Sequence, residues 1–136
     1  MAIRTSARWL LALAFIAAGL PHFTQPEIYL PMMPPYLPWH RELIFGSGFF
    51  EIVGGLGVLW PNEKIQRVAG LCLIALLVAV FPANLHMALN DTPMLGQHFP
   101  AIARWGRLPL QPVLIAWAWW ATRSKKAQPA GRIDSS

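Results

Sequence analysis

Four long apolar segments, separated by stretches that hold most of the charged residues, constrain this chain more than any other feature of its sequence. The segments run over residues 9–23, 43–60, 68–89 and 108–122. Hydrophobic residues make up 55% of the 136 residues and charged residues only 12%, whereas soluble domains average roughly a quarter charged. A soluble fold of this size could not cover its surface with so few charges, so the composition indicates an integral membrane protein.

The lengths of these segments favour membrane-spanning helices over strands. About 20 helical residues cross a hydrocarbon core of about 30 Å, and the sequence lacks the alternating segments of about ten residues that form membrane β-barrels. The two short segments, 9–23 and 108–122, gain length from flanking basic and tryptophan side chains, which extend to the interface. We therefore predict an all-α protein in which residues 1–122 form a four-helix transmembrane bundle.

The distribution of Lys and Arg predicts the orientation of the bundle. Eight of these residues lie in the N-terminus, the link between the second and third segments, and the C-terminal tail, and three lie in the other two connections. Because cytoplasmic loops carry the excess of basic residues, both termini are predicted to be cytoplasmic, in a bacterial inner membrane. The formal net charge of +5 therefore needs no nucleic acid partner, since the basic residues flank apolar segments and form no patch.

Two segments outside the spans have distinct compositions. Residues 29–40 of the first outer connection read YLPMMPPYLPWH; their four prolines exclude a regular helix, yet the stretch is apolar and aromatic. We predict that it lies on the outer membrane face and caps the bundle. The tail, residues 123–136, is polar and basic, and we predict that it is disordered and attracted to anionic lipid.

A carboxylate, Glu51, lies inside the second apolar segment. An unpaired charge at the centre of a membrane costs about 2.5 kcal/mol or more, so such a group normally faces inward, pairs, binds a proton or serves a function. Its helical stripe is otherwise made of small residues, where helix backbones approach closely in membranes: Ser47, Gly48, Gly54 and Gly55. The stripe predicts that Glu51 faces a neighbouring helix and not lipid.

The other three segments each place a polar side chain near the same end of the bundle. These are His22, His86 and Gln111, and we predict that they converge with Glu51 in the outer half of the interior. In the third segment, Ala79 and Ala83 share a predicted inner face with His86. Pro82 removes a backbone hydrogen bond there and predicts a kink. Asn84 is placed to satisfy groups freed by that kink, although it points away from His86 on a straight helix.

An imidazole and a carboxylate in an apolar cavity support several kinds of chemistry. Together they resemble the head-group pocket of a quinone or another amphipathic ligand, and a neutral imidazole also binds metal or haem iron. The sequence has no HxxxH or HExxH motif and no Cys/His metal spacing, so no metal site is predicted. The single cysteine, Cys72, forms no intrachain disulfide, and we interpret it as a small apolar residue.

Five sequence stretches together resemble the DoxX-like family of small bacterial membrane proteins. They are GLPHF at 19–23, MPPYLP at 33–38, SGFFEIVGGLG at 47–57, FPANLHMAL at 81–89 and RLPLQ at 107–111. The resemblance extends to about Thr122 and implies a four-helix transmembrane fold. It further implies that Glu51, His22, Asn84, His86 and Gln111 match the family pattern. Relatives include a subunit of a thiosulfate:quinone oxidoreductase and proteins that assist redox maturation or assembly, but those linked to disulfide chemistry need cysteine pairs that this chain lacks.

Three functional hypotheses remain open on the sequence. The first is a quinone-linked redox subunit or enzyme in which Glu51 and His86 are catalytic and His22, Asn84 and Gln111 bind the ligand, with Tyr36 and Trp39 of the outer loop at its entrance. The second is a non-enzymatic scaffold or assembly factor whose outer loop docks a membrane protein partner or a second copy. The third is a protein that binds a small lipophilic ligand, or that holds haem or a metal between His22 and His86.

Overall fold

The computed structural model describes residues 2–93 and 96–123, and this part of the chain is helical and without a β-strand. Its helices are α1 (Ala2–Gly19), α2 (Pro21–Thr24), α3 (His40–Leu59), α4 (Glu63–Asn90) and α5 (Ala101–Thr122), with 3-10 turns at Pro26–Ile28 and Leu30–Met32. The prediction of an all-α protein is confirmed for these residues. Of the predicted tail, residues 124–136 lie outside the described part of the chain.

Among the described residues, three stretches of helix are long and apolar enough to cross a membrane: Ala2–Thr24, His40–Leu59 and Glu63–Asn90. They contain the first three predicted segments except for Trp60, which follows the end of α3. The fourth predicted segment lies in α5, which starts at Ala101 rather than at residue 108. The added first turns carry Arg104 and Arg107, so the polar start of α5 is part of the helix and not of a loop.

Local sequence signals set the helix boundaries. Pro21 occupies the first position of α2, where its missing N–H would have no helical partner in any case, and it separates α2 from α1. At the other end of the molecule, the side chain of Asn62 accepts hydrogen bonds from the backbone N–H groups of Lys64 and Ile65, at 2.9 and 3.3 Å. This N-cap starts α4 immediately after the turn that follows α3.

The four long helices contact one another in the cyclic order α1, α3, α4, α5. One end of this arrangement, which we call the packed end, contains the continuous apolar core. Glycines allow the close approach there: a methyl group on Gly57 would come within 2.7 Å of the Ala69 Cβ, and a methyl group on Gly70 would clash with Thr122. The buried core residues of the packed end are Leu11, Phe15, Val58, Ala69, Leu73, Leu77, Ala118 and Ala121.

The buried residues of α3 and α5 include residues predicted for their inner faces, whereas the buried residues of α4 are not those of its predicted stripe. Gly48, Gly54 and Gly55 are buried on α3, as is Gln111 on α5. On α4, Ala79 is exposed, and the buried face is formed by other residues: Ala69, Gly70, Leu73, Leu77, Met87 and Ala88. The physical reason is that α3 already supplies small residues at its contact with α4, so α4 can place a larger side chain there. Leu73 of α4 packs directly against Gly54 of α3.

The proline-rich connection between α2 and α3 packs back onto the helices. Met32 and Met87 are both buried and pack together against Tyr29. The Nε2 atom of His40 lies 3.0 Å from the carbonyl oxygen of Pro34, and Pro34 is fully buried. The connection contains only short 3-10 turns, as its prolines require, and its buried side chains position it over the end of the helices opposite the packed end.

Candidate functional site

A cavity of about 590 Å³ lies beyond the packed end, between the four long helices and the proline-rich connection. Its walls are mostly aliphatic and aromatic, with a few polar side chains, which is the usual character of a small-molecule site. The apolar lining residues include Phe15, Ile44, Phe50, Leu76, Leu77, Val80, Leu110 and Leu114. The polar lining residues are His22, Tyr29, Glu42, Ser47, Glu51, Asn84, Arg107 and Gln111.

His22 is held at the cavity by the break between α1 and α2. Its Nδ1 atom lies 3.0 Å from the carbonyl oxygen of Ala18. Because a carbonyl oxygen only accepts, this hydrogen bond assigns the proton to Nδ1 and leaves Nε2 as an acceptor in the neutral ring. Tyr29 stacks on the imidazole, with ring centroids 4.0 Å apart and planes inclined by 16°. The ring is therefore fixed from two directions.

Glu51 and His22 lie close together in the cavity wall. Oε2 of Glu51 lies 3.7 Å from Nδ1 of His22, and the two side chains are only 14% and 10% exposed. That oxygen is buried and has no hydrogen-bond partner among the described residues. Since the Nδ1 proton is directed to Ala18, it does not satisfy the carboxyl group. A buried carboxyl oxygen without a partner is unfavourable by about 1–3 kcal/mol, and more if charged.

Two glycines allow the carboxyl and imidazole groups to approach. Gly19 of α1 and Gly48 of α3 lie backbone to backbone: a methyl group on either would come within 2.8 Å of the other's carbonyl oxygen. A methyl group on Gly48 would also clash with the side chain of His22. Within the small-residue stripe predicted around Glu51, Gly48 leaves the space that the imidazole of His22 occupies, because any side chain at this position would displace the ring.

A chain of amide hydrogen bonds links α4 and α5 at the cavity wall. The Nδ2 atom of Asn84 donates to Oε1 of Gln111 at 3.2 Å, and Nε2 of Gln111 donates to the carbonyl oxygen of Leu77. Leu77 lies next to Val78, whose carbonyl loses its usual helical donor at Pro82. Gln111 is 4% exposed, so it stabilises α4 against α5 beside the kink-prone segment. Asn84, expected to satisfy groups freed by Pro82, instead donates to Gln111.

Three polar or charged cavity residues were missed by sequence reasoning: Tyr29, Glu42 and Arg107. Burial raises the pKa of the Tyr29 phenol, a negative charge on Glu51 raises it further, and Arg107 lowers it. The phenol and the guanidinium therefore lie in the same electrostatic environment as the carboxyl group. Arg107 is one helical turn before Gln111, and that i, i+4 spacing could have identified it. No sequence signal distinguishes Tyr29 from the other aromatic residues of its loop.

Three predicted site residues lie away from the cavity. His86 is not among the residues that line it; its Nδ1 atom lies 3.0 Å from Nδ2 of Asn90, one turn later on α4. Tyr36 and Trp39 are 72% and 74% exposed. The reason for the difference at His86 is the inner face of α4, which passes through Leu77, Asn84 and Met87 and leaves His86 to one side. The loop contacts the cavity through other residues: Tyr29, Met32, Met33 and Leu37.

Comparison with known proteins identifies the domain but not its activity. Residues 11–122 match a family model described as a domain of unknown function (DUF8561). The chain belongs to the DUF8561 family. All residues that line the cavity, from Phe15 to Leu114, fall within this DUF8561 region, so the site is a feature of the family domain. No curated protein and no solved structure matches the chain.

The DUF8561 cavity does not place its candidate ligands in a metal-binding pattern. Within residues 2–93 and 96–123, no three His, Cys, Asp or Glu side chains form a group that could hold a metal ion. Of the two histidines proposed to hold a metal or haem, only His22 lines the cavity. The polar groups that line the cavity are an imidazole, two carboxyl groups, a hydroxyl, a phenol, a guanidinium and two amides, and they are suited to hydrogen bonding of an organic head group.

Proposed function

We propose that this DUF8561 protein is a small, quinone-linked redox subunit or enzyme of the bacterial inner membrane. In this proposal α1, α3, α4 and α5 form a four-helix transmembrane bundle with both termini in the cytoplasm. The cavity lies in the outer half of the bundle, under the proline-rich connection. The excess of Lys and Arg in the N-terminus, the inner link and the tail supports this orientation, and three stretches of helix long enough to span a membrane support the location.

The observation that carries the proposal is the unpartnered carboxyl oxygen of Glu51 in the wall of a mostly apolar cavity. Buried polar groups in folded proteins are normally paired, so Oε2 of Glu51 requires a partner that the described residues do not supply. A ligand with a hydroxyl or carbonyl group would supply one. The apolar walls beside it, formed by side chains such as Phe15, Leu76 and Leu114, match a hydrophobic ring and tail.

A quinone and its quinol meet both requirements. A quinol hydroxyl donates to a carboxylate, and a quinone carbonyl accepts from a protonated carboxyl group or from a guanidinium. Interconversion of the two forms transfers two electrons and two protons. In the proposal Glu51 relays protons between the ring oxygen and the cavity mouth, where Glu42 is exposed. The electrons are exchanged with a redox partner protein, which the proposal requires as a second component.

The resemblance to the DoxX-like family is part of this proposal. It implies a quinone-linked relative and includes four cavity residues among its matching positions: His22, Glu51, Asn84 and Gln111. Glu51 retains the catalytic role expected from the sequence. His86 has in the proposal no direct contact with the ligand, and Tyr29 and Arg107 take the positions around the head group that the sequence left unassigned.

Replacement of Glu51 by glutamine tests the proposal. Purified wild-type protein is expected to bind a quinol analogue, and Glu51→Gln to bind it at least about tenfold more weakly, because a hydrogen bond to a charged group contributes about 1.5–3 kcal/mol. The measurement is a binding titration in mild detergent. Glu63→Gln is the matched control, since Glu63 is exposed in the first turn of α4. Equal binding by wild type and Glu51→Gln contradicts the proposal.

The exposed aromatic residues of the outer loop favour a second candidate function, a non-enzymatic scaffold or assembly factor. Tyr36 and Trp39 make the loop surface apolar without contributing to the cavity. A scaffold would use them to dock a membrane protein or a second copy. Crosslinking in membranes distinguishes the two functions: a scaffold loses its stoichiometric partner in Tyr36→Ser/Trp39→Ser and keeps it in Glu51→Gln, whereas the quinone proposal expects quinol binding to survive the loop substitutions.

A further inference from the structure

The contact between α3 and α4 differs between its two ends. Near the packed end the helices touch, since methyl groups on Gly54 and Gly57 would come against Leu73 and Ala69, respectively. About two turns before Gly54, toward the N-terminus of α3, a methyl group on Gly46 would meet no atom within 4 Å. Yet Gly46 lines the cavity. The two helices therefore separate toward the cavity, and the space beside Gly46 is continuous with it.

The residues on the outer side of this gap line the cavity as well. On α3 they follow one stripe at i, i+3 and i+7, Leu43, Gly46 and Phe50, and on α4 a matching stripe, Leu76, Ala79 and Ala83. Leu43 and Phe50 are 43% and 55% exposed while they line the cavity, and Ala79 is exposed too. A closed interior chamber would be lined by buried residues only. The cavity thus extends through the seam between α3 and α4 to the outer surface of the helices.

We propose that this gap, here called the side portal, is the route by which a lipophilic ligand enters from the bilayer and the channel in which its tail remains. The inference rests on the proposed function and specifies its substrate class: a membrane-dissolved molecule with a polar ring and a long hydrocarbon tail. The portal stripes consist of aliphatic, aromatic and glycine residues. The polar cavity residues that would receive the ring, Glu51, His22 and Gln111, are not members of either stripe.

The chemistry of the portal favours a tail over a polar group. A tail that passes between Gly46 and Ala79 contacts apolar atoms throughout, and each buried methylene contributes about 0.8 kcal/mol. A charged or strongly hydrated group in the same gap would have no partner on either stripe. The ring then reaches Glu51 and His22 while the tail stays in contact with lipid, so the ligand does not need to leave the membrane to bind.

Substitution of Gly46 by phenylalanine tests the portal. Gly46→Phe fills the gap and is expected to weaken binding of a long-chain isoprenoid quinone at least about tenfold, while binding of the tail-less benzoquinone head stays within about twofold. Gly106→Phe is the matched control, because Gly106 is a helical glycine of α5 that also has open space around it and does not line the cavity. It is expected to leave both affinities unchanged.

A blocking group added after folding removes any dependence on how Gly46→Phe folds. In a Cys72→Ser background, Gly46→Cys is purified and then labelled with a bulky maleimide, with Gly106→Cys as the control. Labelling of Gly46→Cys should reduce binding of the long-chain quinone, whereas labelling of Gly106→Cys should not. Equal binding of the long-chain quinone before and after labelling would overturn the portal and leave the quinone site standing. Failure of the unlabelled wild type to bind either probe would overturn both.

Discussion

The packed end and the cavity end of this protein are made from the same four helices, yet the helices are in close contact at the first and leave a cavity at the second. At the packed end, glycines on α3 and α4 receive neighbouring side chains, and residues such as Leu11 and Val58 are fully buried. At the cavity end, the helices enclose a space of about 590 Å³ and a carboxyl oxygen without a partner. The closely packed core and the cavity of the candidate site are thus separated along the lengths of the same helices.

Gln111 lies at the junction of the two ends, so its replacement should have the largest effect on stability. Gln111→Leu removes the hydrogen bonds that Gln111 makes to the Leu77 carbonyl and to the Asn84 amide, and we expect the free energy of unfolding to fall by about 3 kcal/mol. Thermal or denaturant unfolding in detergent measures it. Asn84→Leu/Gln111→Leu is the control, because removal of both partners should be less harmful than the sum of the single changes. An unchanged free energy of unfolding in Gln111→Leu would show that the packing of α4 on α5 does not depend on the hydrogen bonds of Gln111.

Matched glycine-to-alanine changes test the comparison itself. Gly54→Ala introduces a methyl group against Leu73 at the packed end, and overpacking of this kind costs about 1–3 kcal/mol. Gly46→Ala adds a methyl group to open space and should be neutral or stabilising by up to about 1 kcal/mol, because alanine has the higher helix propensity. Unfolding of both variants under the same conditions gives the difference. Equal destabilisation would mean that the cavity end is as tightly packed as the other.

The smallest expected effect concerns Tyr29 and appears only at high pH. Because burial and a negative charge on Glu51 raise the pKa of Tyr29 above its ordinary value of 10.0, the folded protein holds the phenolic proton more tightly than the unfolded chain. The stability from this difference is complete below pH 10 and is lost as the pH rises toward the folded pKa. Tyr29→Phe should therefore show a weaker decline of stability above pH 10 than the wild type, and nearly unchanged stability at neutral pH.

The same titration reports on the cavity. Glu51→Gln removes the charge that raises the pKa of Tyr29, so ultraviolet titration of the phenol should shift to lower pH in that variant. Tyr36 is the internal reference, since it is 72% exposed and lies outside the cavity. An identical Tyr29 titration in wild type and Glu51→Gln would show that the two groups do not share one environment.

The sequence predicted the parts of the fold and site that depend on periodicity within a single helix. Apolar length and the scarcity of charge predicted the helical class, and i, i+4 spacing predicted that Glu51, Gln111 and the glycines of α3 are on inner faces. The sequence did not predict features that depend on how one helix packs against another. The stripe of small residues on α4 indicated an inner face that carries His86. Ala79 and Ala83 of that stripe line the cavity, but His86 does not, because α4 directs Asn84 to the cavity and Met87 to Met32 of the loop instead.

Residue order by itself determined that this chain is helical, that its long apolar segments suit a membrane, and that a carboxyl group lies within one of them. Only the tertiary structure decided which groups meet that carboxyl. Tyr29 reaches His22 because Met32 packs on Met87, and Arg107 reaches the cavity because α5 begins earlier than its apolar segment. Hydrophobic periodicity is a local property of a helix, whereas a binding cavity is formed by the misfit between helices.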